Sequence, residues 1–283
     1  AGSPAIAAGM LGPVGVATEE GDGFRVRGNW QFGSGIANAS WVGMGAMVQR
    51  DGQPATTESG MPYMLIAFAP RAEVELRGVW HRSFGATRTD LLDGLLARLR
   101  EPHRRYHTAV HVAWVLRHLQ RLIDAERRQV GGAGAAIDDE VLHLAALYHD
   151  AVYDPTRADN EAVSARLAAE VAAELGWDAA RCHDVHELVM ATATHQPTGT
   201  AQALLVDADL AVLGASPADY TAYMTGVRAE YVHVNADEWR LGRVAVLDSF
   251  LTAPSVFHTV LVQHEREARA RANMSAERAA LLR

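Results

Sequence analysis

The sequence predicts an all-α fold over residues 88–283, the C-terminal two-thirds, preceded by a small β-rich module over residues 1–87. Three observations predict it. The first stretch is rich in glycine and alternates apolar with polar residues, the period of strands. Beyond it glycine thins out, and alanine, leucine and arginine recur at helical spacing. Twelve of the thirteen histidines lie in the second part, with only His81 in the first. The composition shift puts the boundary between His81 and Thr89.

In the first part, Phe24–Phe32 alternates as a strand, and Trp41–Val48 and Tyr63–Phe68 read as two more, with Gly52-Gln53-Pro54 in a polar loop between them. In the second part, Arg105–His111 lies on the first helix of the metal-bearing region, and Val130–Ala136 is a Gly/Ala-rich connector. Asp138 precedes an acidic first turn, Asp139 and Glu140, and that helix runs out at His149-Asp150. Gly176 after Leu175 is a helix stop. Leu204–Leu210 is an apolar helix holding two acids, and Ser216-Pro217 is a cap with proline at the first helical position. Ser275, with Glu277 and Arg278, opens a short final helix. Tyr220, Tyr223 and Tyr231 are expected in the core, and His183 and His186 on a solvated face. The chain carries no internal repeat.

Composition narrows function. The chain has 283 residues, 49% apolar and 21% charged, as an ordinary globular protein does, with a formal charge of −8. That charge argues against a nucleic-acid polymer as partner, and phosphate recognition would need a metal to supply positive potential. All 26 basic residues are arginine, which excludes Schiff-base chemistry and a P-loop lysine and suggests a GC-rich bacterial source. Cys182 is the only cysteine, so neither an internal disulfide nor a thiolate zinc site can form, and a small buried or half-buried side chain is expected there. No run reaches membrane-spanning length, and Ala1–Leu11 lacks a basic n-region. The expected setting is cytoplasmic, without a membrane partner; association into a homo-oligomer is left open.

Chemistry concentrates in three segments. His107 and His111 are four apart and would share a helical face. His149 and Asp150 are adjacent, splayed by about 100° on a helix, and so able to straddle an ion. Asp207 and Asp209 interrupt an apolar helix, where a carboxylate is costly unless paired or ligated. Two imidazoles and two carboxylates suit Mn²⁺, Mg²⁺, Fe²⁺, Co²⁺ or Zn²⁺.

The order His111…His149-Asp150…Asp resembles the HD superfamily of metal-dependent phosphohydrolases. Glu101–His107, His149–Pro155, Asp159-Asn160-Glu161, Ala193-Thr194-His195 and Asp207–Gly214 resemble one bacterial subfamily of it, across most of residues 88–272. The resemblance implies an all-helical HD fold, with His111, His149, Asp150 and a last aspartate as metal ligands. Asp207 and Asp209 lie about 200° apart on a helix, so one of them faces the ion. The resemblance favours Asp209, which follows Ala208, leaving Asp207 near the site or on the substrate. It further implies hydrolysis of a small phosphorylated substrate such as a nucleotide, assisted by a divalent metal. Glu161 and His195 are the candidates to move the proton. Arg104 and Arg228 would clamp phosphate, and His107 would contact substrate. A metal- and metabolite-binding sensor without turnover is the alternative reading, and a second metal would recruit His107 and His195.

Trp30–Gly35 with Ala39-Ser40-Trp41 resembles the middle β-domain of acyl-CoA dehydrogenases and related flavin-dependent monooxygenases, over about residues 11–81. The resemblance implies that Val74–His81 is a closing strand and that an apolar face normally covered lies open. The partner domains of that family have no counterpart among the helices here, which makes flavin chemistry the least favoured reading.

Overall fold

The computed structural model describes residues 7–28, 30, 39–130 and 137–283. Most of the Trp30–Gly35 motif and of the Val130–Ala136 connector lies outside the described residues, as do residues 1–6. The chain divides into two compact units, Ala1–Glu75 and Leu76–Arg283.

The described residues of the first unit form a sheet of β1 (Ala7–Glu20), β2 (Gly23–Arg27), β3 (Trp41–Arg50), β4 (Gln53–Pro54) and β5 (Met64–Pro70). β1 pairs antiparallel with β2 and parallel with β3, while β5 pairs antiparallel with β3 along Trp41–Met47 and β4 with its last residues, Gln49 and Arg50. Asp51 and Gly52 both have positive φ, 53° and 75°, as the tight β3–β4 turn requires, so Gln53-Pro54 is a short strand and not part of a loop. β1 was not anticipated, because its Gly-, Ala- and Pro-rich sequence carries little strand signal. Ala17, Ala46, Val48 and Ala55 form a small core under Val26 and Leu65. On β5 the alternate residues Met64, Ile66 and Phe68 are exposed, in line with the expected open apolar face.

Residues 74–81 are not a closing strand. They lie in helix α1 (Arg71–Phe84), whose buried positions Leu76 and Trp80 are four apart, a helical and not a strand period. Trp80 packs edge-on to Phe84, which tilts against Trp177. Residues 76–87 thus pack with the helices, and the division falls at Glu75 and Leu76 instead of at residue 87.

The second unit continues with α2 (Thr89–Leu99), α3 (Ala109–Val130), α4 (Asp139–Tyr148), α5 (Asn160–Glu174), α6 (Ala179–Thr194), α7 (Thr200–Leu210), α8 (Pro217–Glu230), α9 (Ala236–Thr252) and α10 (Val260–Leu281). A 3-10 turn, Ala211–Gly214, follows α7. The expected caps are present: Asp138 accepts from the Val141 N–H, Ser216 accepts from the Asp219 N–H, and Gly176 stops α5 at φ 82°. Ser275 opens no new helix, since α10 runs through it and buries Ala270 and Met274 four apart. Cys182 is half-buried, as expected. Among the described residues no helix is long and apolar enough to cross a membrane.

Position within the core decides which helices can hold charge. α4 is buried from Val141 to Tyr148 but for His143, and α7 is buried along most of Leu204–Leu210. α3 packs against both. Polar side chains at the ends of these three helices therefore meet away from water.

His118 on α3 supplies a pH-sensitive contact elsewhere in this core. Its Nδ1 lies 2.9 Å from the Trp114 carbonyl and its Nε2 2.9 Å from Nη2 of Arg266. Burial, with Arg266 adding repulsion, pushes its pKa from 6.5 to about 4. The unfolded chain then binds the proton more readily than the folded one. Stability should be complete above pH 6.5 and fall by about 3 kcal/mol as pH drops toward 4. Unfolding midpoints measured from pH 7.5 to 4.5 should show this decline, and His118→Asn should flatten it.

Candidate metal centre

His111 is the third residue of α3, His149 caps the C-terminus of α4 with Asp150 next to it, and Asp209 is the penultimate residue of α7. The three segments bring these side chains together. His111 Nε2 lies 3.1 Å from His149 Nε2 and 3.3 Å from Asp150 Oδ2, and His149 Nε2 lies 3.1 Å from that same oxygen. Asp209 Oδ1 is 3.2 Å from His111 Nε2 and 3.6 Å from His149 Nε2. One ligand atom from each of His111, His149 and Asp150 lies within 4.8 Å of the others, a group able to hold a metal ion.

The donor chemistry fits a cation. His149 Nδ1 lies 2.8 Å from the Ala146 carbonyl, which fixes a proton there and leaves Nε2 as the nitrogen that faces the cluster. His111 Nε2 faces that nitrogen, and its buried Nδ1 has no hydrogen-bond partner among the described residues. Two imidazole nitrogens and two carboxylates confined together repel unless a proton or a metal ion lies among them. Burial alone would lower both imidazole pKa values, yet Asp150 and Asp209 more than reverse this and raise them, that of His149 further. The two carboxyl groups are held well below their usual range, in spite of burial, by the same imidazoles.

Around the cluster sits a ring of braces. His107 does not share a helical face with His111, for it lies in the turn before α3. The cause is Glu230, buried at the end of α8. Its Oε1 accepts the N–H groups of Arg105, Tyr106 and His107 at 2.7, 2.8 and 3.0 Å, which holds this turn in a concave arrangement. Its Oε2 lies 2.7 Å from His107 Nδ1. Burial raises the pKa of Glu230, but these contacts outweigh it and bring the value down to about 2. The His107 ring stacks on Tyr153 at 3.9 Å.

Arg104 and Arg228 do not stand as phosphate clamps. Arg104 is buried and donates to the carbonyls of His107, Asp150 and Ala151 at 3.0, 2.8 and 3.0 Å and to Glu101. Arg228 donates to the carbonyls of Tyr231 and Val234, its guanidinium over the Trp239 ring. Asp207 faces away from the cluster, as its position on α7 requires. It accepts the N–H of His258 at 2.8 Å and the N–H and hydroxyl of Thr259 at 2.7 Å each, satisfying the start of α10. The expected place of Asp207 near the site or on the substrate, as a catalytic residue, is thereby corrected to a structural one.

A cavity of about 570 Å³ opens beside Asp150 and Asp209. Glu161, His107 and His195 line it, the last with Nε2 4.0 Å from Asp209 Oδ2. Burial lowers the His195 pKa against the pull of Asp209. Tyr223 and Tyr231, expected in the core, line the cavity, whereas Tyr220 is buried and donates to Glu277. Arg243 on α9 also lines it, bound through Nε and Nη2 to Glu277 at 2.8 and 3.0 Å. Neither Glu230 nor Arg243 stood out in the sequence; an acid closing a helix and an arginine amid aliphatics were the only signals.

No known family profile matches the chain, and no solved structure matches it. A stretch of 69 residues, 24% of the chain, is 33% identical to the oxygenase subunit HsaA of a flavin-dependent monooxygenase from Mycobacterium tuberculosis, in strains CDC 1551 and H37Rv alike. The match covers 16% of that subunit's length.

The geometry separates the two aspartates experimentally. Asp209→Asn should reduce Mn²⁺ or Zn²⁺ affinity by about tenfold or more, with little change in melting temperature. Asp207→Asn should lower the melting temperature, by an amount matching about 1–3 kcal/mol, and leave metal content intact. Because the imidazole pKa values are raised in the metal-free protein, metal must displace protons. Affinity measured by calorimetry should therefore rise with pH across the neutral range, with protons released to buffer.

Proposed function

We propose that the helical unit is an HD-type, metal-dependent phosphohydrolase acting on a small phosphate ester. The observation that carries this reading is the meeting of His111, His149, Asp150 and Asp209 from three helices beside a cavity that the two aspartates line. The order of these residues along the chain is that of the HD pattern.

His111, His149, Asp150 and Asp209 would hold the ion, which supplies Lewis acidity and an activated water near neutral pH. His195 is kept neutral by burial and stands on the cavity wall, where it can take up a proton. Glu161 lies on the same wall and can orient a water or relay that proton. His107, held by Glu230 and Tyr153, presents a fixed ring edge to the substrate. Arg104 fixes the backbone that carries Asp150 and so orients that ligand.

Purified protein should contain a divalent metal by elemental analysis and release phosphate from a panel of phosphate esters in Mn²⁺. Asp150→Asn should cut that rate by about a hundredfold or more. His195→Gln should lower the rate and flatten its acid limb, with metal content unchanged. Metal binding without phosphate release from any ester would favour a sensor over an enzyme.

A further inference from the structure

The cavity has a mixed lining. Asp150, Asp209, Glu161 and His195 line it together with Leu210, Val212, Leu213, Val227, Trp239 and Phe250. The Phe250 ring lies 5.5 Å from that of His195, so the apolar wall begins beside the polar groups. α9 contributes one continuous face, because Trp239, Gly242, Arg243, Val246 and Phe250 recur at helical spacing.

The charges on this wall do not suit a long anion. Four carboxylates line the cavity: Asp150, Glu161, Asp209 and Glu238. Among the described lining residues Arg243 is the one arginine, and Glu277 already engages its guanidinium from two sides. A divalent ion on Asp150 and Asp209 would match one phosphoryl group. A second or third phosphate would lie against aliphatic side chains or near Glu161 and Glu238, with no free cation to replace its lost hydration. An uncharged ring would instead bury its surface there, and about 570 Å³ is ample for one.

We propose, on the basis of the hydrolase reading above, that the cavity takes a phosphomonoester whose alcohol part is an apolar ring or chain, and that it rejects polyphosphates. The phosphoryl group sits at the donor cluster and the apolar body extends along α9 from Phe250, beside His195, toward Trp239.

The test uses the full chain loaded with Mn²⁺. Phosphate release is compared for 2-naphthyl phosphate, glycerol 3-phosphate and adenosine triphosphate. Binding is measured in parallel by calorimetry with the non-hydrolysed 2-naphthylmethyl phosphonate and methylphosphonate. The naphthyl phosphonate should bind at least about tenfold more tightly than methylphosphonate, and 2-naphthyl phosphate should show the highest kcat/KM by a similar factor. Trp239→Ala should remove most of that binding preference while metal content stays unchanged. Equal binding of the two phosphonates, or faster turnover of the triphosphate or of glycerol 3-phosphate, would overturn the inference and leave the hydrolase reading standing. Preferential naphthyl binding with no phosphate released from any ester would uphold the cavity's selectivity and remove the hydrolase reading.

Discussion

Two imidazole nitrogens 3.1 Å apart in a buried place, with two carboxylates beside them, demand a positive charge in their midst. That demand organises the helical unit. It places His111, His149 and Asp209 at the ends of α3, α4 and α7, where backbone and side-chain polarity can be satisfied without breaking an apolar helix interior. It also explains why the surrounding polar groups are tied down so thoroughly, since a cluster of this kind tolerates little drift.

Three side chains do that tying. Glu230 gathers three consecutive N–H groups and His107. Asp207 starts α10. Arg104 crosses between the turn before α3 and the end of α4. Each is a buried charge, costly by itself, and each is matched by several hydrogen bonds. A buried arginine spent on carbonyls has little donor capacity left for any other group.

Much of this was legible from residue order. Isolated His and Asp on apolar segments announced the cluster, and the helical half-turn between Asp207 and Asp209 assigned them opposite faces. Helix ends written in local chemistry, at Asp138, Gly176 and Ser216, were also readable. What escaped depends on distant partners. His107 leaves the helix because of Glu230, more than a hundred residues away in sequence. The helical state of residues 74–81 follows from burying Leu76 and Trp80 together, which a local alternation does not reveal. Tyr223 and Tyr231 reach a cavity because of how α8 and α9 pack, and Arg104 looks like a surface cation until its carbonyl partners are known. β1 hid behind residues of poor strand propensity.

Arg104 grips the main chain at positions 107, 150 and 151, and not the side chains borne there. The grip is therefore indifferent to what those positions carry. A change of side chain at position 150 would leave this clasp intact, because the peptide carbonyls that Arg104 holds are common to every residue type.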